Sequence, residues 1–511
     1  MLWNTIKTYA KKVGRALGLI QNLREITDHK QINVSDEAYR RIDLNKQLYS
    51  GHVKEWHDLR YKGTNGVMIE RKQMSLNMPK HIAKKLAKLV FNEGVKISLA
   101  EESKSAQWEL ISDVFTGNKF IRDFQRYLEY MFAMGGVVVE VYLDGDEPKI
   151  AYATADAFFP LSNDSEEIDE AVIANVFNEG GYTYTLLKWH EWLDDKEIVD
   201  GLNYRIKNEL YRSTNGDDLG DKVSLKKMFP NMEPETKLAL ERPLFTYLKP
   251  NEANNKEITS PLGIGVFENA LDTIKLLDVM YDFWYNEFRL GKRRVAVPEY
   301  LVQSGINPVT GEPYYFMDDA EELFVAMNSE EQNSMEIKDL TIELRTEQVI
   351  SSIQALLDIL SMQVGLSVGS FTFGATGLKT ATQVVSENSE TYQTRSSHLN
   401  IIEDGLRDLI LTVYEVACLA LDQTPDSLER TDISIDWNDG VFIDKDAQLK
   451  FYAMAVDKGL APKLQAIMSV FGKSKEEAEE WLGDINAERT QSNLRLEEAI
   501  AEVELGGVIE R

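Results

Sequence analysis

The chain has 511 residues, with 56 Lys and Arg against 84 Asp and Glu, a formal net charge of −28. Its 43% hydrophobic and 27% charged residues are those of a folded chain, which sets disorder aside. Thirteen prolines leave few helix breakers, and a single cysteine, Cys418, excludes an intramolecular disulfide and a cysteine-based zinc site.

At the N-terminus, Trp3, Ile6, Ala10, Val13, Leu17 and Ile20 alternate three- and four-residue spacing, with Lys7, Lys11, Lys12 and Arg15 mostly on the other side. This predicts an amphipathic helix. It suits a membrane surface or docking onto the rest of the protein, and docking is the plainer account. Three further helices are expected in DEAYRRIDLNKQLYSG, SLNMPKHIAKKLAKLVFNEG and NKFIRDFQRYLEYMFAMGG, each closing near a glycine. The apolar run Met131 to Leu143 holds Gly135, Gly136 and Glu140 and falls short of the roughly 20 residues a membrane span needs.

The period then changes from helical to alternating. VVVEVYL and KIAYAT around the turn DGDEP predict one hairpin, EAVIANVF and YTYTLLKWHEW around NEGG another, and GLNYRIKNELYR a further strand. The result is a β-meander over 136–212. Residues 213–260, with NGDDLGD and prolines at 230, 234, 243 and 250, read as connecting loops.

After Pro261, Phe267, Ala270, Ile274, Leu277, Tyr281, Trp284 and Phe288 form an unbroken 3-4 seam, while Glu268, Asp272, Lys275, Asp282 and Arg289 fall on another face. A helix over 262–290 follows, closed by the basic residues Arg289, Lys292, Arg293 and Arg294. Residues 296–345 then hold eleven acidic residues against two basic ones and form a small acidic module. A second long helix spans 347–364, with Val349, Ile353, Leu356 and Leu360 on one side. It leads into GLSVGSFTFGATGLKT, with four glycines and one charge, Lys379. A third helix runs from about Thr380 to Leu421 on the seam Leu399, Ile402, Leu406, Leu409, Val413, Val416 and Ala420, with Cys418 a buried thiol. DISIDWNDG reads as a strand and turn, and 444–511 as helical, with an acidic end.

The sharper chemical motifs fail on spacing. Gly369 and Gly374 suit a phosphate-binding loop, but Ala375 follows, Lys379 comes too late, and a helix precedes the segment. In PLGIGVFE a dinucleotide fingerprint requires glycine where Glu268 stands. Gly440 occupies a position where a calcium loop needs an oxygen ligand. Six histidines include no metal-binding pair, so no catalytic, cofactor or metal residue is assigned. The acidic balance argues against broad gripping of nucleic acid, although Lys80, Lys84, Lys85 and Lys88 cluster on one helix.

The order of parts resembles the portal proteins of tailed double-stranded-DNA bacteriophages, especially those of siphoviruses infecting Gram-positive bacteria. The likeness is carried by PLGIGVFENALDTIKLLDVMYDFWYNEFRLGKRRVAVP and GLSVGSFTFGATGLKTATQVVSENSETYQTRSSHLNIIEDGL, with DAFFPLS at 156–162 as weaker support. It implies an α+β, predominantly helical subunit of a ring, usually of twelve, with a central channel for packaging and ejecting DNA at one capsid vertex. Residues 1–260 and 381–440 would form a wing, 261–291 and 347–364 the stem, 292–346 the clip, 365–380 the tunnel loop and 441–511 the crown.

The same resemblance implies roles for single residues. Ser370, Phe371, Thr372, Phe373 and Lys379 would belong to the tunnel loop, and Phe267, Ile274, Leu277, Tyr281, Trp284 and Phe288 would pack the stem. Arg289, Lys292, Arg293 and Arg294 would lie near DNA. Implied partners are further copies of the chain, double-stranded DNA, the terminase, a head–tail connector, and the major capsid and scaffolding proteins, with no membrane and no cofactor. Assembly would take place in the bacterial cytoplasm and the product would be part of the virion. The implied protein is not an enzyme. The alternatives are a capsid or scaffold protein without a channel, and a DNA-packaging nuclease or motor, which the missing phosphate loop counts against.

Overall fold

The computed structural model describes residues 36–487 except 63–65, 92–93, 101–103, 165–166, 215–218, 292–294, 299–302, 312, 317–323, 328–337, 340–341, 373–388, 438–444, 472, 474 and 476. The expected N-terminal helix and most of the acidic C-terminal tail therefore lie outside the described residues. The chain divides into two compact units, 1–375 with 393–437, and 376–392 with 438–511.

The first unit opens with helix α1 (Asp36–Tyr49), a single turn at Lys54–His57, and the hairpin β1 (Asp58–Lys62) and β2 (Met68–Lys72). Helix α2 (Met78–Val90) follows, entered through Asn77 in the left-handed conformation and Pro79 in its first turn, where proline's missing N–H costs nothing. Then come β3 (Lys96–Leu99), α3 (Ser105–Gly117), which the sequence patterns did not reveal, and α4 (Phe120–Met134). In α4 the buried residues Phe120, Phe124, Leu128, Met131 and Phe132 fall at helical spacing, so one face enters the core. Gly135 ends it at φ +86°, and its N–H donates to Met131 O at 2.8 Å.

The expected meander is present and larger than its signal. Strands β4 (Val137–Asp144) and β5 (Glu147–Thr154) form the first hairpin. β6 (Phe158–Asp164), β7 (Glu167–Glu179), β8 (Tyr182–Trp192), β9 (Tyr204–Ser213) and β10 (Asp221–Val223) pair antiparallel in sequence order, and β11 (Glu235–Leu238) also pairs with β9. The stretch 213–260 is thus not simply connecting loop. It supplies β10, β11 and β12 (Phe245–Leu248), and β12 adds to β4 in a second sheet of order β12-β4-β5. These strands are three or four residues long, with β11 and β12 set between prolines, and are too short for alternation to show.

The first long helix begins later than its periodicity suggests. Residues 268–270 form a 3-10 turn, and α5 spans Leu271–Leu290. The delay follows from backbone contact, because Gly263 and Gly265 run against the end of α4. A Cβ on Gly263 would stand 2.3 Å from Gly135 O, and one on Gly265 2.6 Å from Ala133 O. The two glycines of PLGIGVFE therefore serve close packing.

Short strands follow: β13 (Val295–Pro298), β14 (Gln303–Ile306), β15 (Pro313–Phe316), β16 (Phe324–Met327) and β17 (Lys338–Asp339). β13 pairs parallel with β16 and antiparallel with β17, while β14 and β15 form a hairpin. Helix α6 (Thr346–Gln363) buries Val349, Ile353, Leu357 and Leu360, so Leu357 rather than Leu356 completes its seam. Helix α7 (Ser389–Ala420) is nearly enclosed over Leu409–Cys418, and β18 (Ile433–Asp436) pairs with β3.

The second unit contains α8 (Lys445–Asp457), α9 (Lys463–Phe471) and helical residues 477–487. They surround an apolar groove of about 250 Å³ lined by Leu449, Tyr452, Val456, Ile467, Val470 and Leu482, among others.

Candidate functional site

Helix α5 is the element on which the expected site residues converge. Phe267, in the turn before it, is fully buried, as are Ile274 and Leu277 within it. Farther along, Tyr281 and Trp284 are half-buried and Phe288 is 49% exposed. The continuous seam therefore starts in the core and runs out to the surface. A second apolar set, Leu276, Val279, Phe283 and Leu290, faces outward from the same helix, and Ile350, Ile359 and Met362 do so from α6.

Acidic residues of α5 and of the turn before it hold the helix in place, and two from the face apart from the seam, Glu268 and Asp282, are buried. Glu268 is buried, paired with Arg41 Nε at 3.1 Å and accepting from Asn45 Nδ2 at 2.9 Å. Asp278 is buried against His57 Nε2 at 3.0 Å and accepts the Leu76 N–H at 2.8 Å. Asp282 receives both Arg71 NH groups at 2.6 Å and the Met74 N–H at 3.2 Å. Burial pushes the Asp282 carboxyl up, but the Arg71 hydrogen bonds and charge outweigh it and hold the pKa below the ordinary value. At the exposed end, Glu287 accepts from Arg345 Nε and NH2 at 3.1 and 2.9 Å. Sequence periodicity missed this ladder because a buried, paired carboxylate has the same letter as a solvated one.

The glycine-rich segment divides at its described limit. Its first residues belong to the fold: Leu366 and Ser367 are buried, Gly365 O accepts from Thr394 Oγ1 at 2.5 Å, and Leu366 N–H donates to Ser361 O at 2.8 Å. Ser370 and Phe371 are half-buried and Thr372 is exposed. Phe373 and Lys379 lie outside the described residues, as do Lys292, Arg293 and Arg294. Arg289 is exposed and donates from Nε to Asn286 Oδ1 at 3.1 Å. Lys80, Lys84 and Lys88 are exposed on α2, whereas Lys85 turns inward.

Cys418 is buried, and burial raises its thiol pKa, leaving it a protonated core residue. Among the described residues no group of three His, Cys, Asp or Glu side chains is placed to hold a metal ion, and no helix is long and apolar enough to cross a membrane.

Long helices braced from within and apolar on their open faces are the parts of a structural, assembling protein. Residues 28–491 match the family Phage portal protein, SPP1 Gp6-like, and the chain belongs to that family. The family is structural rather than catalytic, and its members are virion components. No curated protein matches the chain. Among solved structures, the chain is similar to one in the virion of a native gene transfer agent (GTA) particle, at 9% identity and a TM-score of 0.40, covering 89% of this chain and 98% of that one. A likeness at that level carries no further argument.

Proposed function

We propose that the chain is the subunit of a closed ring at a capsid vertex, through which double-stranded DNA enters during packaging and leaves during ejection. The observation that supports it, beyond family membership, is the pair α5 and α6. Both bury one seam within the subunit; α5 leaves a second apolar row open, and α6 exposes Ile350, Ile359 and Met362 outside its seam, surface that a ring of identical copies would cover. In this reading α5 and α6 are the stem and the strands between them the clip, which meets the packaging terminase and then a head–tail connector. Residues 365–380 are the tunnel loop and 441–511 the crown.

The net charge of −28 suits a conduit that must not hold what it conveys. Arg289 and the basic residues after it then supply only weak, salt-screened contacts to DNA. Native mass spectrometry with negative-stain imaging tests the ring: a closed assembly of roughly twelve copies with a central hole is expected. A chain that stays monomeric at all concentrations, with capsid and scaffolding proteins present, removes the reading. Shortening 369–377 is expected to impair DNA packaging and leave ring assembly intact; normal packaging would remove the loop's role.

A further inference from the structure

Lys85 differs from the other lysines of its helix. Lys84 and Lys88 are exposed, and Lys80, also exposed, stands 5.1 Å from the centre of the Tyr49 ring, but Lys85 is half-buried and no carboxylate pairs with it among the described residues. Its ammonium instead donates to Ser370 O at 2.7 Å and stands 5.1 Å from the centre of the Phe371 ring. From the other side, Gln354 of α6 donates through Nε2 to Phe371 O at 3.2 Å and to Asp358 Oδ1 at 3.1 Å. Two consecutive backbone carbonyls of the glycine-rich segment are thus gripped by side chains from two helices.

Burial alone lowers the Lys85 pKa, so the charge is retained against a cost that only these two contacts offset. Glycines at 365 and 369, both at positive φ, leave the backbone here little intrinsic stiffness. Holding the segment therefore requires side chains from outside it.

The geometry points to Lys85 as the positioning residue that pins residues 366–371, the described part of the glycine-rich segment, onto α2 and α6. Residues 365–371 then act as a fixed mount. Its functional meaning rests on the loop reading proposed above. A pinned root sets the radius at which a channel loop works and transmits force on it to α2 and α6.

The test is amide hydrogen exchange on the assembled full-length protein. Lys85→Met keeps the apolar stem and is expected to raise exchange over 366–372 about tenfold or more, with assembly and exchange in α5 unchanged. Lys85→Arg, which keeps a donor and a cation over the ring, is expected to restore protection to within about threefold. Should Lys85→Met fail to assemble, Gln354→Leu removes the other grip and must loosen the same residues. Unchanged exchange over 366–372, or a rise spread evenly through α2 and α6, overturns the inference. A loosened root with normal packaging leaves the brace standing and removes the loop's role. A root still protected in Lys85→Met, with packaging lost on shortening 369–377, does the reverse.

Discussion

Glu140 on β4 is a buried carboxylate that stays ionised because the neighbouring strand supplies its partners. Lys188 Nζ donates to both of its oxygens at 2.9 Å, and His190 Nε2 stands 3.5 Å from Oε1. Burial pushes its pKa up, but Lys188 and His190 together bring it down to about 2. The folded value lies below the unfolded one, so the stabilisation is complete above about pH 4.5 and is lost as the pH falls toward 2, about 3 kcal/mol in all. Glu140→Gln leaves the Lys188 ammonium buried without its counter-charge and should cost about 3–5 kcal/mol, read as a lowered denaturant midpoint at pH 7.

His398 on α7 titrates nearer neutrality. Its Nδ1 accepts the Asn251 N–H at 3.1 Å, its ring meets the edge of Phe132, and burial lowers its pKa to about 4. The neutral ring is the one that fits. Stability is therefore full above about pH 6.5 and declines toward pH 4, by up to about 3 kcal/mol. His398→Gln should flatten the pH dependence of unfolding between those values; an unchanged slope would show that other groups carry it.

At the scale of elements, α5 is held by acids that reach segments more than 200 residues away in sequence. Asp282→Asn breaks the two-pronged contact with Arg71 and should cost about 2 kcal/mol, less than a fully buried pair because Arg71 remains partly exposed. The β1–β2 hairpin, largely exposed on both strands, depends on that contact and should become more protease-sensitive. A double-mutant cycle with Arg71→Met isolates the coupling; a coupling energy near zero would mean that the hairpin is held elsewhere.

Elements also differ in how legible they were. Long amphipathic helices such as α4, α5 and α6 announced themselves, because a core-facing stripe repeats over many turns. The short β10, β11 and β12 did not, since a four-residue strand holds at most two alternations, and the pairing partner of β12 lies a hundred residues earlier. The Lys85 brace had a partial signal, a lysine within the α2 cluster, but nothing in its spacing separates it from its three exposed neighbours.

At the scale of the whole molecule, the open row on α5 carries the assembly proposal. Leu276 and Val279 are 46% and 44% exposed, so replacing both by Asp should leave the subunit folded. In the proposed ring these side chains meet the next copy, and two buried charges should prevent closure. A folded, ring-deficient double variant seen by circular dichroism and native mass spectrometry is the expected outcome. Normal rings would show that the row faces solvent in the assembly.

The sequence by itself determined the mixed class, the long helices, two of the hairpins and the family resemblance, because periodicity and order of parts are properties of one dimension. Only the tertiary structure decided which acids are buried clamps, which glycines permit two backbones to touch, and which side chains grip residues 370 and 371 of the glycine-rich segment. Those depend on groups far apart in the chain meeting within about 3 Å, and hydrogen bonds and desolvation act only at that range.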